Sequence, residues 1–125
     1  MAMSEPAAQK PRVLVVEDDF LIRMMLEDML ADLGYEVVGP AGTLAEATAL
    51  ASTAKFDAAV LDVNLRGVHV FPAADILVTR GVPFVFVSGY GESGLPEKYR
   101  GRPMLQKPFE TEKLKAALSL LVGKA

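Results

Sequence analysis

From Pro11 onward, short β-branched runs alternate with segments of helical periodicity, which restricts the chain to an α/β fold with a largely parallel sheet. Five strands are expected: Arg12 to Val16, Glu36 to Val38, Ala58 to Leu61, Phe84 to Val87 and a weak Met104 to Gln106. The first is continuously aliphatic, as a strand covered on both faces requires. Ile22, Met25, Leu26, Met29 and Leu33 fall at helical spacing, with Gly34 as the left-handed stop. Met25 and Met29 are therefore expected in the core, with Met24 free to face a partner. Thr43 and Glu46 form a capping box for a second helix ending near Ala54. Pro72 and Gly81 bracket a third, and Leu114, Ala117, Leu118 and Leu121 share one face of the last.

The remaining crossover is poor in helix formers. Glycines at 89, 91 and 94 and prolines at 96 and 103 leave room for at most a turn or two around Glu97 to Arg100, so a mobile loop is expected there. The predicted architecture is a doubly wound, five-stranded parallel sheet of five βα units whose fourth helix is short or disordered. With 125 residues, 51% of them hydrophobic, the chain has material for one core. Residues 1–10 read as a disordered polar tail and 11–125 as one domain, with no linker to an effector domain. A net charge of −3 argues against a nucleic-acid binder. The absence of cysteine fits a reducing cytoplasm and excludes thiol chemistry. No apolar run has the length of a membrane span, and the N-terminus lacks the apolar segment of a signal peptide.

In an open parallel sheet, ligands sit beyond the carboxyl ends of the strands, so the residues following each strand carry the chemistry. Strand one ends in Glu17, Asp18 and Asp19, strand three in Asp62, strand four in Ser88 and strand five in Lys107. Carboxylates converging on one rim repel unless a hard cation is held between them, and magnesium is the natural occupant, with manganese an alternative. A carboxylate nucleophile beside such an ion, faced by a lysine and a hydroxyl, is the equipment of phosphoryl transfer through an acyl phosphate on Asp62.

V-L-V-V-E-D-D at 13 to 19, L-D-V-N at 61 to 64, V-S-G at 87 to 89 and K-P-F at 107 to 109 resemble, in order and spacing, the response-regulator receiver domain with its flavodoxin-like fold. The resemblance implies a phosphoprotein of bacterial two-component signalling. Asp62 would be the phospho-acceptor, Asp18 a direct metal ligand, Glu17 a ligand through water, and the backbone carbonyl of Asn64 a further ligand. Ser88 would move toward the phosphoryl group, Lys107 would ion-pair with it, and the Lys107–Pro108 peptide would be cis. Asp19 reads as a helix-start residue. The donor would be a sensor histidine kinase or a histidine phosphotransfer protein whose helix pair contacts helix one. Output would be contact with a downstream protein, made through the segment after strand four, strand five and the last helix.

Two departures stand out. The strand-five aromatic residue of the family is replaced by Met104, and its proline four residues after the acceptor by Arg66. F-V-S-G-Y-G at 86 to 91 resembles the variant group of single-domain receivers nicknamed for an F-A-T-G-type motif. In that group the switch is expected to run through the loop at Gly89 and Tyr90. Tyr90 would either gate water or cover an apolar edge.

Plainer readings compete. Gly89, Gly91 and Gly94 spell G-x-G-x-x-G after a strand, but Leu95-Pro96 follows where a dinucleotide-binding helix would have to open. His69, the only histidine, is expected in a solvent-facing loop. A phosphatase working through an aspartyl phosphate commonly needs an acid two residues after the nucleophile, where this chain has Asn64, so slow self-dephosphorylation and not substrate turnover is expected. An idle binding module is disfavoured by the joint presence of Asp18, Asp62, Ser88 and Lys107.

Overall fold

The computed structural model describes residues 10–89 and 94–122. The expected tail therefore lies almost wholly outside the described residues, as do Tyr90 and Gly91. In chain order the elements are β1 (Arg12–Val16), α1 (Phe20–Asp32), β2 (Glu36–Ala41), α2 (Leu44–Thr53), β3 (Ala58–Asp62), β4 (Asn64–Leu65), β5 (Val68–His69), α3 (Phe71–Arg80), β6 (Phe84–Ser88), β7 (Met104–Gln106) and α4 (Thr111–Val122), with a 3₁₀ turn at Glu97–Tyr99. Five strands form a parallel sheet in the order β2-β1-β3-β6-β7. The expected doubly wound fold is the one observed, and the place of the fourth helix is taken by the 3₁₀ turn.

Alternation along each strand divides the core in two. Leu14, Val16, Ala59, Leu61, Phe84 and Phe86 face α2, α3 and Tyr99. Val13, Val15, Ala58, Val60, Val85 and Val87 face Leu26 and Leu30 of α1 and Leu114 and Leu118 of α4. Because both faces are covered, the strands carry aliphatic side chains in succession, and each large side chain so buried stabilises the fold by about 1.5–3 kcal/mol.

Local chemistry sets the helix starts. Asp19 caps α1 by accepting from the Leu21 and Ile22 N–H groups at 2.9 and 3.2 Å. Thr43 caps α2 by accepting from Glu46 N–H at 3.1 Å, while Glu46 reaches past the cap to accept from Gly42 N–H at 2.8 Å. Gly81, at φ 75°, ends α3 in the left-handed conformation.

Three features differ from expectation. β2 continues past Val38 to Ala41, since Gly39, at φ 93°, turns the strand where an added Cβ would lie 3.0 Å from Ala41 N. A hairpin of β4 and β5, pairing Asn64 with His69 and Leu65 with Val68, occupies the loop after Asp62. Met25 is 53% exposed and not in the core, because Leu26 and Leu30 carry the buried stripe of α1; Met24 is exposed as expected, and Met29 is partly buried. The Lys107–Pro108 peptide is cis as expected, and so is Gly39–Pro40.

Candidate functional site

The three central strands deliver their terminal side chains to one cleft of about 590 Å³, lined among others by Glu17, Asp18, Asp62, Ser88 and Lys107. Register explains the convergence. β3 pairs with β1 on one side and β6 on the other, so Asp62 lies opposite Val87, one residue before Ser88, and Leu61 lies opposite Val16, one before Glu17. Ser88 in turn pairs with Gln106, which places Lys107 at the next position on the same rim.

Glu17, Asp62 and Ser88 are almost wholly buried, which is rare for carboxylates such as Glu17 and Asp62 without compensation. Oxygen atoms of Glu17, Asp18 and Asp62 all lie within 4.8 Å of one another. Lys107 Nζ stands 3.2 Å from Glu17 Oε1 and 3.2 Å from Asp62 Oδ2, so a single ammonium bridges the two buried carboxylates. Glu17 Oε2 accepts from Asp19 N–H at 3.0 Å, whereas Oε1, though close to the ammonium, has no well-directed hydrogen-bond donor. Asp18 is less enclosed and meets the guanidinium of Arg66 at 3.7 Å.

One lysine does not balance this charge. Burial pushes Glu17 up to about 7, against the hydrogen bond from Asp19 and with the charge of Asp62 adding to the rise. Burial likewise raises Asp62, although Lys107 pulls the other way. Burial would lower Lys107, but Asp62 and Glu17 outweigh it and hold the ammonium above its ordinary range. A divalent cation with oxygen ligands fits the donor set: three clustered carboxylates, one with an acceptor atom still seeking a donor.

All the side chains singled out in the sequence at the strand ends meet in this cleft. Asn64 stands beside it with its backbone N–H 3.4 Å from Asp62 Oδ1 and its side chain accepting from Gly67 N–H at 2.6 Å. Gly89 lines the cleft, and an added Cβ at Gly94 would lie 3.8 Å from Ser88 Oγ, so the backbone at Gly94 lies close to the site. Met104 lies away from it, half-buried against the core beside Phe86. His69 is exposed but borders the cleft, its ring 5.4 Å from that of Phe71. Two side chains, one at the cleft and one in the core behind β6, carry no such signal in the sequence. Arg66 reaches Asp18, and Tyr99, from the 3₁₀ turn, inserts among Phe71, Phe84 and Phe86 with ring centroids 5.3–6.0 Å away. No local signal marks Tyr99 for the core, since its flanking residues are charged.

A doubly wound sheet with an acidic pocket at the carboxyl ends of its strands and a lysine across it defines a receiver-type signalling module. The chain belongs to the response regulator receiver domain family, whose model matches residues 13–119. It is 38% identical over 122 residues to the transcriptional regulatory protein PdtaR of Mycobacterium tuberculosis, covering 94% of this chain and 60% of PdtaR, so it spans less than two thirds of that relative's length. Among solved structures, SdrG from Sphingomonas melonis Fr1 superposes with a TM-score of 0.79 at 42% identity, covering 96% of this chain and 99% of SdrG. The BeF3-activated conformation of SdrG from Pseudomonas melonis Fr1 superposes with a TM-score of 0.76 at 44% identity, covering 89% of this chain and 95% of that one. Among the described residues no helix is long and apolar enough to cross a membrane.

Proposed function

We propose that Asp62 accepts a phosphoryl group from a phosphohistidine donor in the cytoplasm and that the phosphorylated domain, residues 11–125, signals by protein contact. The observation that carries this reading is the buried Asp62 carboxylate at a strand end, 3.2 Å from Lys107 and clustered with two further carboxylates. Asp18, Asp62 and the carbonyl of Asn64 would hold magnesium or manganese, with Glu17 acting through water. The ion supplies positive charge to the phosphoryl oxygens during transfer. The remaining work falls to the chain. An oxygen of Asp62 attacks phosphorus in line, the phosphorus–nitrogen bond breaks with its electron pair staying on that nitrogen, and a donor ring protonated on its other nitrogen leaves as neutral imidazole. Lys107 exchanges its contact with Asp62 for one with a phosphoryl oxygen, and the Ser88 hydroxyl donates to another. Nothing in this set activates water, which suits a signalling domain that does not turn over a substrate.

The donor would dock on α1. Phe20, Leu21, Met24 and Met25 are exposed there, and an apolar groove of about 370 Å³ runs between Met25, Met29 and Phe109 beside the site. The likeness to SdrG, solved in a beryllofluoride-activated form, supports a phosphorylation-dependent role. The test is intact-protein mass after incubation with magnesium and acetyl phosphate. One phosphoryl adduct is expected, dependent on magnesium and absent from Asp62→Asn. A chain that takes no phosphoryl group from acetyl phosphate or from a panel of phosphohistidine donors is not a phospho-acceptor.

Metal affinity should depend on pH. The Glu17 carboxyl titrates near 7, and a cation needs the ionised form, so below that value binding must displace a proton. The apparent magnesium affinity is expected to fall by up to about tenfold per pH unit below 7 and to level off above 8, as calorimetric titration would read.

A further inference from the structure

We propose that Arg66 assists phosphoryl transfer directly, neutralising Asp18 in the resting site and turning to the phosphoryl group once a cation takes Asp18. The inference rests on the phospho-acceptor reading above and adds a residue to it.

The first support is placement. Arg66 stands at the tip of the β4–β5 hairpin, its Nε 3.7 Å from Asp18 Oδ2, and it lines the same cleft as Asp62, Ser88 and Lys107. Carboxylate oxygens of Asp18 and Asp62 lie within 4.8 Å of each other, so a group built on Asp62 comes within a small reorientation of the guanidinium. The Arg66 side chain is 80% exposed, and an ion pair this open is weak and readily exchanged.

The second support is the backbone. Arg66 has φ 55°, the one non-glycine residue with positive φ among those described, and Gly67 follows at φ 86°. A two-residue hairpin turn with both residues left-handed favours Asn-Gly or Gly-Gly, and an ordinary side chain there costs about 1–2 kcal/mol. Arginine gains nothing from packing at so exposed a position, so strain borne beside the reacting carboxylate points to a use for its charge.

The third is charge balance. Glu17, Asp18 and Asp62, with Lys107 and a divalent cation, sum to zero. Phosphorylation turns Asp62 from a monoanion into a near-dianionic acyl phosphate and leaves one negative charge in excess. Arg66 is the cation in the cleft able to meet it, and its planar guanidinium suits phosphoryl oxygens. The same charge also draws an anionic donor toward the cleft.

The test compares wild type, Arg66→Asn and Arg66→Lys. Asparagine tolerates the left-handed backbone better than arginine, so the first variant should fold at least as well as wild type in a thermal melt. Magnesium affinity of the unphosphorylated protein is read by calorimetry, and the initial rate of adduct formation from acetyl phosphate at saturating magnesium by intact mass. Arg66→Asn is expected to tighten magnesium about two- to fivefold at low salt, because a competing cation has gone. It should slow phosphorylation about three- to tenfold, an effect that shrinks in high salt. Arg66→Lys should restore most of both. A merely structural Arg66 would move neither quantity or weaken both together, and either result overturns the proposal, as does tighter magnesium binding with an unchanged rate. A wild type that forms no adduct with any donor overturns instead the phospho-acceptor reading on which the role depends.

Discussion

Replacing Tyr99 by alanine is expected to destabilise the domain by about 3–5 kcal/mol, read as a lower urea midpoint. Tyr99 is 2% exposed. Its ring stacks on Phe71 at 5.8 Å and meets Phe84 and Phe86 edge-on at 6.0 and 5.3 Å. Truncation would leave a cavity bounded by three aromatic rings and by the sheet, which cannot close without moving β6. The hydroxyl contributes less. It donates to Asp75 on α3, a carboxylate that also pairs with Lys98 at 2.9 Å and is open to solvent. Tyr99→Phe should therefore cost only about 0.5–1.5 kcal/mol. The contrast separates two roles for the residue, ring as anchor and hydroxyl as tether to α3. A small loss for alanine would mean that the 3₁₀ turn is not held by its ring.

This anchor also bears on the absent strand-five aromatic. Met104 and Tyr99 both pack against the cluster that contains Phe86, whose strand ends at Ser88. The aromatic surface beside β6 thus comes from Phe71 of α3 and from Tyr99 of the 3₁₀ turn, and not from β7. The sequence foretold the shortness of that helix from its glycines and prolines, but not the burial of Tyr99, because a single 3₁₀ turn has no periodicity to read. The strands and the strand-end residues were legible for the opposite reason: doubly covered strands need continuous aliphatic runs, and the residue after each run falls on the ligand-binding rim. Helix α1 shows the limit of that legibility. Apolar residues at 22, 25, 26, 29 and 33 spread wider than one buried stripe, and pattern alone does not say that Met25 lies outside it. The β4–β5 hairpin was hidden because Arg66-Gly67 is not one of the turn pairs that announce a left-handed turn.

Without metal, the domain is expected to lose about 1–3 kcal/mol of stability between about pH 5 and pH 8, and Asp62→Asn to reduce that loss. Glu17 is held near 7 in the folded chain against an ordinary 4.5, mainly by burial, and Asp62 is raised in the same way. Between those values the unfolded chain has given up a proton that the folded chain retains. The unfolded state then binds fewer protons, and stability falls as pH rises. Groups shifted the other way act outside this window. Asp75, lowered by Tyr99 and Lys98, matters below its ordinary value of 3.8, and Lys107, raised above 10.5, matters only in strong alkali. Asparagine at 62 removes one charge from beside Glu17 while Lys107 stays paired with Glu17, so the Glu17 carboxyl should titrate closer to its ordinary value and the slope should flatten. Magnesium should restore wild-type stability at pH 8 by binding the ionised site of the folded state alone, and it should do much less for the variant. Urea titrations at several pH values, with chelator and with magnesium, read all of these terms. A wild type equally stable across the range in chelator would mean that the ionised pocket is already well solvated. The predicted decline would instead mean that the folded chain holds its carboxylates in an unfavourable state that a cation relieves, so that metal binding draws on energy stored at the site.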